Sequence, residues 1–323
     1  MPTTRRRLLG TFATLALAPP ATFAQAWPAR PVSLIAPYGA GGSNDILSRL
    51  LGEALAARLG QGFVVENKAG AGTRIANEFV AHAAPDGYTV LHAAAPIAIG
   101  EALYPKLPYD AKKSFEPVVS TAIAPLFLVV NASAPYKTVA EFVAYGKSQP
   151  KGLTFGSPGV GSAPHLTAEL LMRAAGTPGV VIQFRGDAPA YNELLAGRID
   201  GTLTAISTAV PHIQAGKLRV LAVANEERSA LHPQTPTFRE SGLPSVVGYG
   251  WYGLLVPAGT PAAIVNRLNA ETNAVLADAE MRRKAEAVGL QLRGGTAAEF
   301  AAFIGNETRK WARIIKDAHI TPE

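Results

Sequence analysis

Ser162 and His165 stand three residues apart in "FGSPGVGSAPHL", one helical turn, with Ser157 just ahead of them. A serine beside a histidine does nucleophilic chemistry when an acidic third group orients the imidazole. A hydrolase serine also calls for the frame G-x-S-x-G, and neither serine has it. Ser157 lies in Gly-Ser-Pro-Gly and Ser162 in Gly-Ser-Ala-Pro. The histidines are His82, His92, His165, His212, His232 and His319, and no pair has metal-ligand spacing with a carboxylate between. The chain has no cysteine, which removes thiolate zinc, iron–sulfur and cysteine-nucleophile chemistry. No catalytic set and no metal set is therefore expected.

Glycine turns carry the remaining chemistry. "SLIAPYGAGGSNDILSRLL" (33–51) joins an apolar strand-like run to a helical pattern through three glycines. Such a junction holds anions, because glycine lets backbone N–H groups approach and the helix start adds the positive end of its dipole. "AGAGTRIANEF" and "FGSPGVGSAPHL" repeat the arrangement. None is a P-loop, which needs Gly-Lys-Ser/Thr, and none shows the G-x-G-x-x-G dinucleotide fingerprint. Anion binding without a cofactor is what survives. A micromolar complex requires about 8 kcal/mol. Hydrogen bonds to a charged group contribute roughly 1.5–3 kcal/mol each, so several donors from two facing loops suffice. Two residues admit two readings. Asp45 either meets a ligand or sits in a first helical turn that favours an acid, and His165 either contacts a ligand or orders its own loop.

Strands and helices alternate around these turns. "PVSLIAPY", "GFVVEN" and "YTVLHAA" read as strands. Between the first two, Ile46, Leu47, Leu50, Leu51, Ala54, Leu55 and Leu59 share one helical face, with Ser43 or Asn44 as cap and Gly60 as stop. After "PLFLVVN" a second series runs through "GLTFGS", "GVVIQF", "IDGTLTAI" and "LRVLAVA" with helical stretches between. "YGWYGLLVPAGTP" is a long aromatic strand, and helices are expected over 261–276, 279–287 and 296–318. This alternation predicts parallel strands covered by helices on both faces. "PYGAGGSNDIL" and "FGSPGVGSAPHL" then place one α/β unit twice, with a ligand between the carboxyl ends of the strands.

The first residues read as an export leader. Arg5, Arg6 and Arg7 precede an apolar run, then prolines and small residues, with cleavage expected after Ala26. The arginines suit a Sec or a twin-arginine signal. They also supply half of the formal net charge of +6. The other Lys and Arg residues are scattered, which argues against nucleic-acid binding.

These motifs resemble the extracytoplasmic solute receptors of tripartite tricarboxylate transporters, the Bug proteins. The marks run in order from Pro37-Tyr38 through Gly41-Gly42 to Asp45, then Glu66-Asn67, Asp86-Gly87-Tyr88 and "LYPKLPYD". "FGSPGVGSAPHL", "FRGDAPAYNELLAGRID", "PHIQAGKLRVLAV" and "YGWYGLLVPAGTP" follow. The resemblance implies a two-lobed α/β periplasmic-binding-protein fold, a type II-like Venus flytrap with a mainly parallel sheet in each lobe. It implies a leader over 1–26, a first lobe over 27–124 plus 251–323 and a second over 125–250. The function implied is a monomeric periplasmic receptor that delivers a small organic carboxylate to membrane permease subunits. A ligand-sensing subunit with the same cleft is the alternative.

The ligand loops implied are Tyr38, Gly41, Gly42, Ser43, Asn44 and Asp45 on one side, and Ser157, Gly161, Ser162, Ala163 and His165 on the other. Arg185, Gly186, Ala188 and Pro189 form a third wall, with Thr204 beyond them. The chain departs from the family where Thr73-Arg74 replaces a frequent Gly-Asn and Pro96-Ile97 a frequent Thr-His. Near Thr204 an acidic residue is common in the family. Its absence points to a carboxylate without an ammonium group.

Overall fold

The computed structural model describes residues 27–104, 106–184, 187–317 and 319–322. The leader lies outside the described residues. The chain opens with β1 (Val32–Ala36), α1 (Ser43–Leu59), β2 (Phe63–Asn67), a single 3-10 turn (Ala71–Thr73), α2 (Arg74–Ala81), β3 (Thr89–Ala94) and α3 (Pro96–Leu103). β1 pairs in parallel with β2 on one side and β3 on the other. A second run follows: β4 (Phe115–Asn131), α4 (Val139–Ser148), β5 (Leu153–Ser157), α5 (Ala163–Ala175), β6 (Gly179–Gln183), α6 (Asp187–Leu195), β7 (Gly201–Ala205), α7 (Ile206–Gln214) and β8 (Leu218–Val223). β5 lies parallel to both β6 and β7. The chain closes with β9 (Tyr249–Pro257), α8 (Ala262–Leu276), α9 (Ala279–Ala287), β10 (Gln291–Leu292) and α10 (Ala297–Asp317).

The two runs are joined by β4, which belongs to both sheets. Its first part pairs antiparallel with β9 up to Ala124↔Gly250 and Pro125↔Tyr249. From Leu126 onward it pairs antiparallel with β7 and β8. In each lobe most strands run one way. β9 and β10 oppose the others in the first, and β4 opposes the others in the second. Alternation alone could not reveal these antiparallel members, because β4 and β9 pair with strands far from them in sequence.

Each sheet carries helices on both faces. Leu47, Leu51 and Leu55 of α1 pack with Val265, Leu268 and Val275 of α8 on one face of the first sheet. α2, α3 and α10 cover the other with Val80, Ile99, Phe300 and Trp311. In the second lobe, Phe142 of α4 and Leu171 of α5 lie on one face. Tyr191 and Leu194 of α6 and Ile206 of α7 lie on the other.

The α1 stripe has the i, i+4, i+8 spacing that the sequence predicts, and Gly60 closes the helix in left-handed geometry at φ 71°. Its start differs from the expectation. Ser43 and Asn44 are already inside the helix, Gly42 is the N-cap, and no side chain caps it. A glycine in place of a capping side chain costs only about a few tenths of a kcal/mol, whereas each buried leucine contributes roughly 1.5–3 kcal/mol. Burial therefore holds α1 in place with its first amides unengaged by a cap. The helices α4, α9 and α10 are built otherwise. Thr138 accepts from the Glu141 amide, Asp278 from Glu280 and Met281, and Thr296 and Glu299 bond each other's amides reciprocally.

Candidate functional site

A cavity of about 370 Å³ opens between the carboxyl ends of β1, β3, β5 and β7. Helix starts converge on it. Gly42, Ser43 and Asn44 bring the start of α1, and Ala95 and Pro96 that of α3. Ser162, Ala163 and Pro164 bring the start of α5, and Thr204 and Ala205 that of α7. The starts of α1, α3 and α7 carry no side-chain cap. Ala124, Leu126, Gly250, Trp251 and Tyr252 form the part of the wall where β4 and β9 pass from one sheet to the other. Among the described residues, no side chain lining the cavity is charged. Its polar side chains are Tyr38, Ser43, Asn44, Ser162, Thr204 and Tyr252. The Ser43 and Tyr252 hydroxyls hydrogen-bond each other at 2.9 Å, and the Tyr191 hydroxyl donates to Thr204 Oγ1 at 2.7 Å.

The first loop is braced by Asp45. Burial alone would raise its pKa, but the Arg49 guanidinium, the Gly41 amide and the Asn67 amide all donate to it and hold it below the usual carboxylate range. The Gly41 N–H bond is 2.9 Å, the Arg49 bonds 2.9 and 3.1 Å, and the Asn67 bond 2.9 Å. Asn67 also donates to the Tyr38 carbonyl at 2.9 Å. Asp45 thus closes the glycine turn on itself and does not line the cavity. Beneath the same helix start, Asn44 Nδ2 donates to the His92 carbonyl at 3.2 Å. The His92 ring lies between Ser48 Oγ at 2.6 Å and Thr121 Oγ1 at 2.9 Å. Burial pushes the His92 pKa down to about 3, so the ring is neutral.

The second loop is braced by His165. Its Nδ1 accepts from the Gly161 amide at 3.0 Å, which places the ring proton on Nε2. Burial lowers its pKa to about 4. Ser162 Oγ caps α5 by accepting from the His165 amide at 3.3 Å, and it meets Ser157 Oγ at 3.1 Å. The His165 ring nitrogen nearest the loop is engaged by the Gly161 amide and not by a serine hydroxyl. Gly161 sits at φ 72°, and a Cβ there would lie 2.5 Å from Leu103 Cδ2 of α3. This loop therefore packs directly against the other lobe.

Of the expected site residues, Tyr38, Gly42, Ser43, Asn44, Ser162, Ala163 and Thr204 line the cavity. Asp45, Ser157, Gly161 and His165 are buried outside the lining, Gly41 is exposed and bonds Asp45, and Pro189 lies on α6 outside the lining. Arg185 and Gly186 fall outside the described residues, as does the side chain of Ala188. Gly72, Ala124, Leu126 and the Gly250–Tyr252 segment line the cavity as well and are not among the expected site residues. The paired glycines of "YGWYG" were the available signal, since a strand glycine marks a close approach.

Buried anions are stabilised by convergent N–H dipoles in a dry, low-dielectric site. At about 30 Å³ per water-sized group, the cavity has room for roughly a dozen non-hydrogen atoms. Among the described residues no cluster of three or more His, Asp or Glu residues could hold a metal ion, and no helix is long and apolar enough to cross a membrane.

The sequence profile of the tripartite tricarboxylate transporter family receptor matches residues 47–320. Protein BugT of Bordetella pertussis is 33% identical over 313 residues, 96% of each chain. The solved structure of R. palustris Rpa4515 with adipate is 32% identical, covers 92% of this chain and 100% of its own, and superposes with a TM-score of 0.84. That of the periplasmic binding protein BugD is 30% identical over 92% of this chain and 100% of its own, with a TM-score of 0.80.

Proposed function

The chain belongs to the tripartite tricarboxylate transporter receptor family, and on that premise we propose that it binds a small organic carboxylate in the cavity and delivers it to the transporter's membrane permease. One observation carries the reading: helix starts from both lobes, with amides left over beyond the single Ser162 cap, meet at a cavity whose described walls hold no charged side chain. A carboxylate is the guest that uses such donors best, because amide donors to an anion are stronger than to a neutral acceptor. The mostly apolar remainder, with Ala94, Ala95, Pro96, Leu126, Val160 and Trp251, suits an aliphatic or aromatic body. Among the described residues no acidic side chain lines it, so an ammonium group would be desolvated with none of them as a partner. The R. palustris relative, bound to adipate, is consistent with this class of guest.

In this reading Gly42, Ser43 and Asn44 hold the carboxylate from the first lobe and Ser162 and Ala163 from the second. Gly41, Asp45, Ser157, Gly161 and His165 keep those amides in place. The lobes divide at Ala124–Pro125 and again at Gly250–Trp251, and export follows from the leader over 1–26. No chemical step is assigned. Calorimetry of an acid, its primary amide and its α-amino analogue tests the proposal. The acid should bind at least about tenfold more tightly than either, a difference of about 1.4 kcal/mol. Tighter binding of the amino acid than of the deaminated acid overturns it.

A further inference from the structure

We propose that Arg74 is a specificity-determining residue that reads a second anionic group at the outer end of the ligand; this rests on the carboxylate reading above. Arg74 begins α2, two residues after Gly72, which lines the cavity. Its guanidinium lies over the Tyr104 ring at 4.0 Å from the centroid. The hydroxyl of that ring is 3.5 Å from where a Gly72 Cβ would stand. Its Nε donates to the Ala71 carbonyl at 2.8 Å. The head group is thus fixed by a stack and a hydrogen bond beside the cavity wall. Among the described residues it makes no ion pair, and no further partner engages its terminal nitrogens.

A guanidinium presents a planar fork that matches a carboxylate in two parallel bonds. An isolated surface arginine keeps its side-chain freedom, and ordering it on binding is costly. Here the stack and the Ala71 bond have already restricted it. The backbone that positions it is also unusual. Ala71 at φ 47°, Gly72 at φ 60° and Thr73 at φ 74° form a left-handed turn, and Asn77 Nδ2 donates to Thr73 Oγ1 at 3.2 Å to hold it. Among the described residues the inner cavity has helix amides for one negative group and no charged side chain for a second. Arg74 is not itself in the lining; stacked on Tyr104, whose hydroxyl stands next to Gly72, it supplies that charge beside the Gly72 wall.

Calorimetry of the full chain with hexanoate and adipate tests this, on the wild type, Arg74→Gln and Arg74→Lys. The wild type should favour the diacid by about tenfold, a preference that shrinks as salt is added. Arg74→Gln should bring the ratio to about one, with the loss falling on the diacid. Arg74→Lys should keep part of it, since the charge remains without the planar stack. A diacid preference unchanged in Arg74→Gln, or absent in a wild type that binds both acids, overturns the proposal. Failure of the wild type to bind any carboxylate overturns the carboxylate reading and this inference with it.

Discussion

At the scale of single residues, the two loops are held by side chains that do not line the cavity. His165 is the clearer case. Its neutral Nδ1 accepts from the Gly161 amide, and its pKa lies near 4, below the ordinary value of 6.5. The unfolded chain binds the proton first as pH falls, so the group's contribution is complete above about pH 6.5 and is lost as pH drops toward 4. At 1.36 kcal/mol per pKa unit, the full loss is about 3 kcal/mol. We expect the melting temperature of the wild type to fall across this window, and the fall to be shallower in His165→Gln, whose amide oxygen can accept from Gly161 without titrating. Thermal melts at a series of pH values check this, and equal slopes in the two proteins count against it. Asp45 works in the same manner as an anion, closing Gly41 and Asn67 around one carboxylate.

At the scale of elements, the contrast is between helices capped by their own side chains and helices left open at the cavity. α10 has its reciprocal Thr296–Glu299 cap, whereas α1 begins at Gly42 with none. Gly42 has an ordinary extended φ of −79°, and the nearest atom to an added Cβ is the Gly39 carbonyl at 3.9 Å. A side chain is therefore accommodated there without strain. Gly42→Asp would place a carboxylate on the α1 amides permanently. We expect the ligand-free protein to gain up to about 1 kcal/mol in stability, while carboxylate affinity falls at least about tenfold. Denaturant titration and calorimetry read the two effects separately. A variant that gains stability and binds at full strength shows that the ligand does not use this helix start.

At the scale of the molecule, two chain crossings at β4 and β9 connect lobes that otherwise meet across the cavity. Leu166 of α5 packs in the same cluster as Ile99 and Leu103 of α3, and Gly161 approaches Leu103 closely. These contacts favour a closed form without any ligand, and a bridging ligand adds to that bias. With ligand at a hundredfold excess over Kd, stability should rise by about 2.7 kcal/mol, a shift in Tm of about 4 °C. Leu103→Ala should enlarge the ligand-free radius in small-angle scattering and weaken carboxylate binding although Leu103 does not line the cavity. An unchanged radius and affinity would remove the contact from the closure equilibrium.

The sequence alone determined the local units. Apolar periodicity set the strands and helices, because burial of one face is a property of spacing. The glycine turns located the two loops, because left-handed backbone needs glycine at positions such as Gly41 and Gly161. Tertiary structure decided the rest. The antiparallel passage of β4 and β9 joins residues more than a hundred positions apart, and no local pattern encodes that pairing. It brings Ala124, Leu126 and Tyr252 to the cavity. Hydrogen bonds to Gly41 and Asn67 and to Gly161 keep Asp45 and His165 out of the cavity lining, since a residue's place in a motif does not say which way its hydrogen bonds turn. Arg74 is the plainest instance. In the sequence it is one arginine after a glycine turn, and only the fold stacks it on Tyr104 beside Gly72.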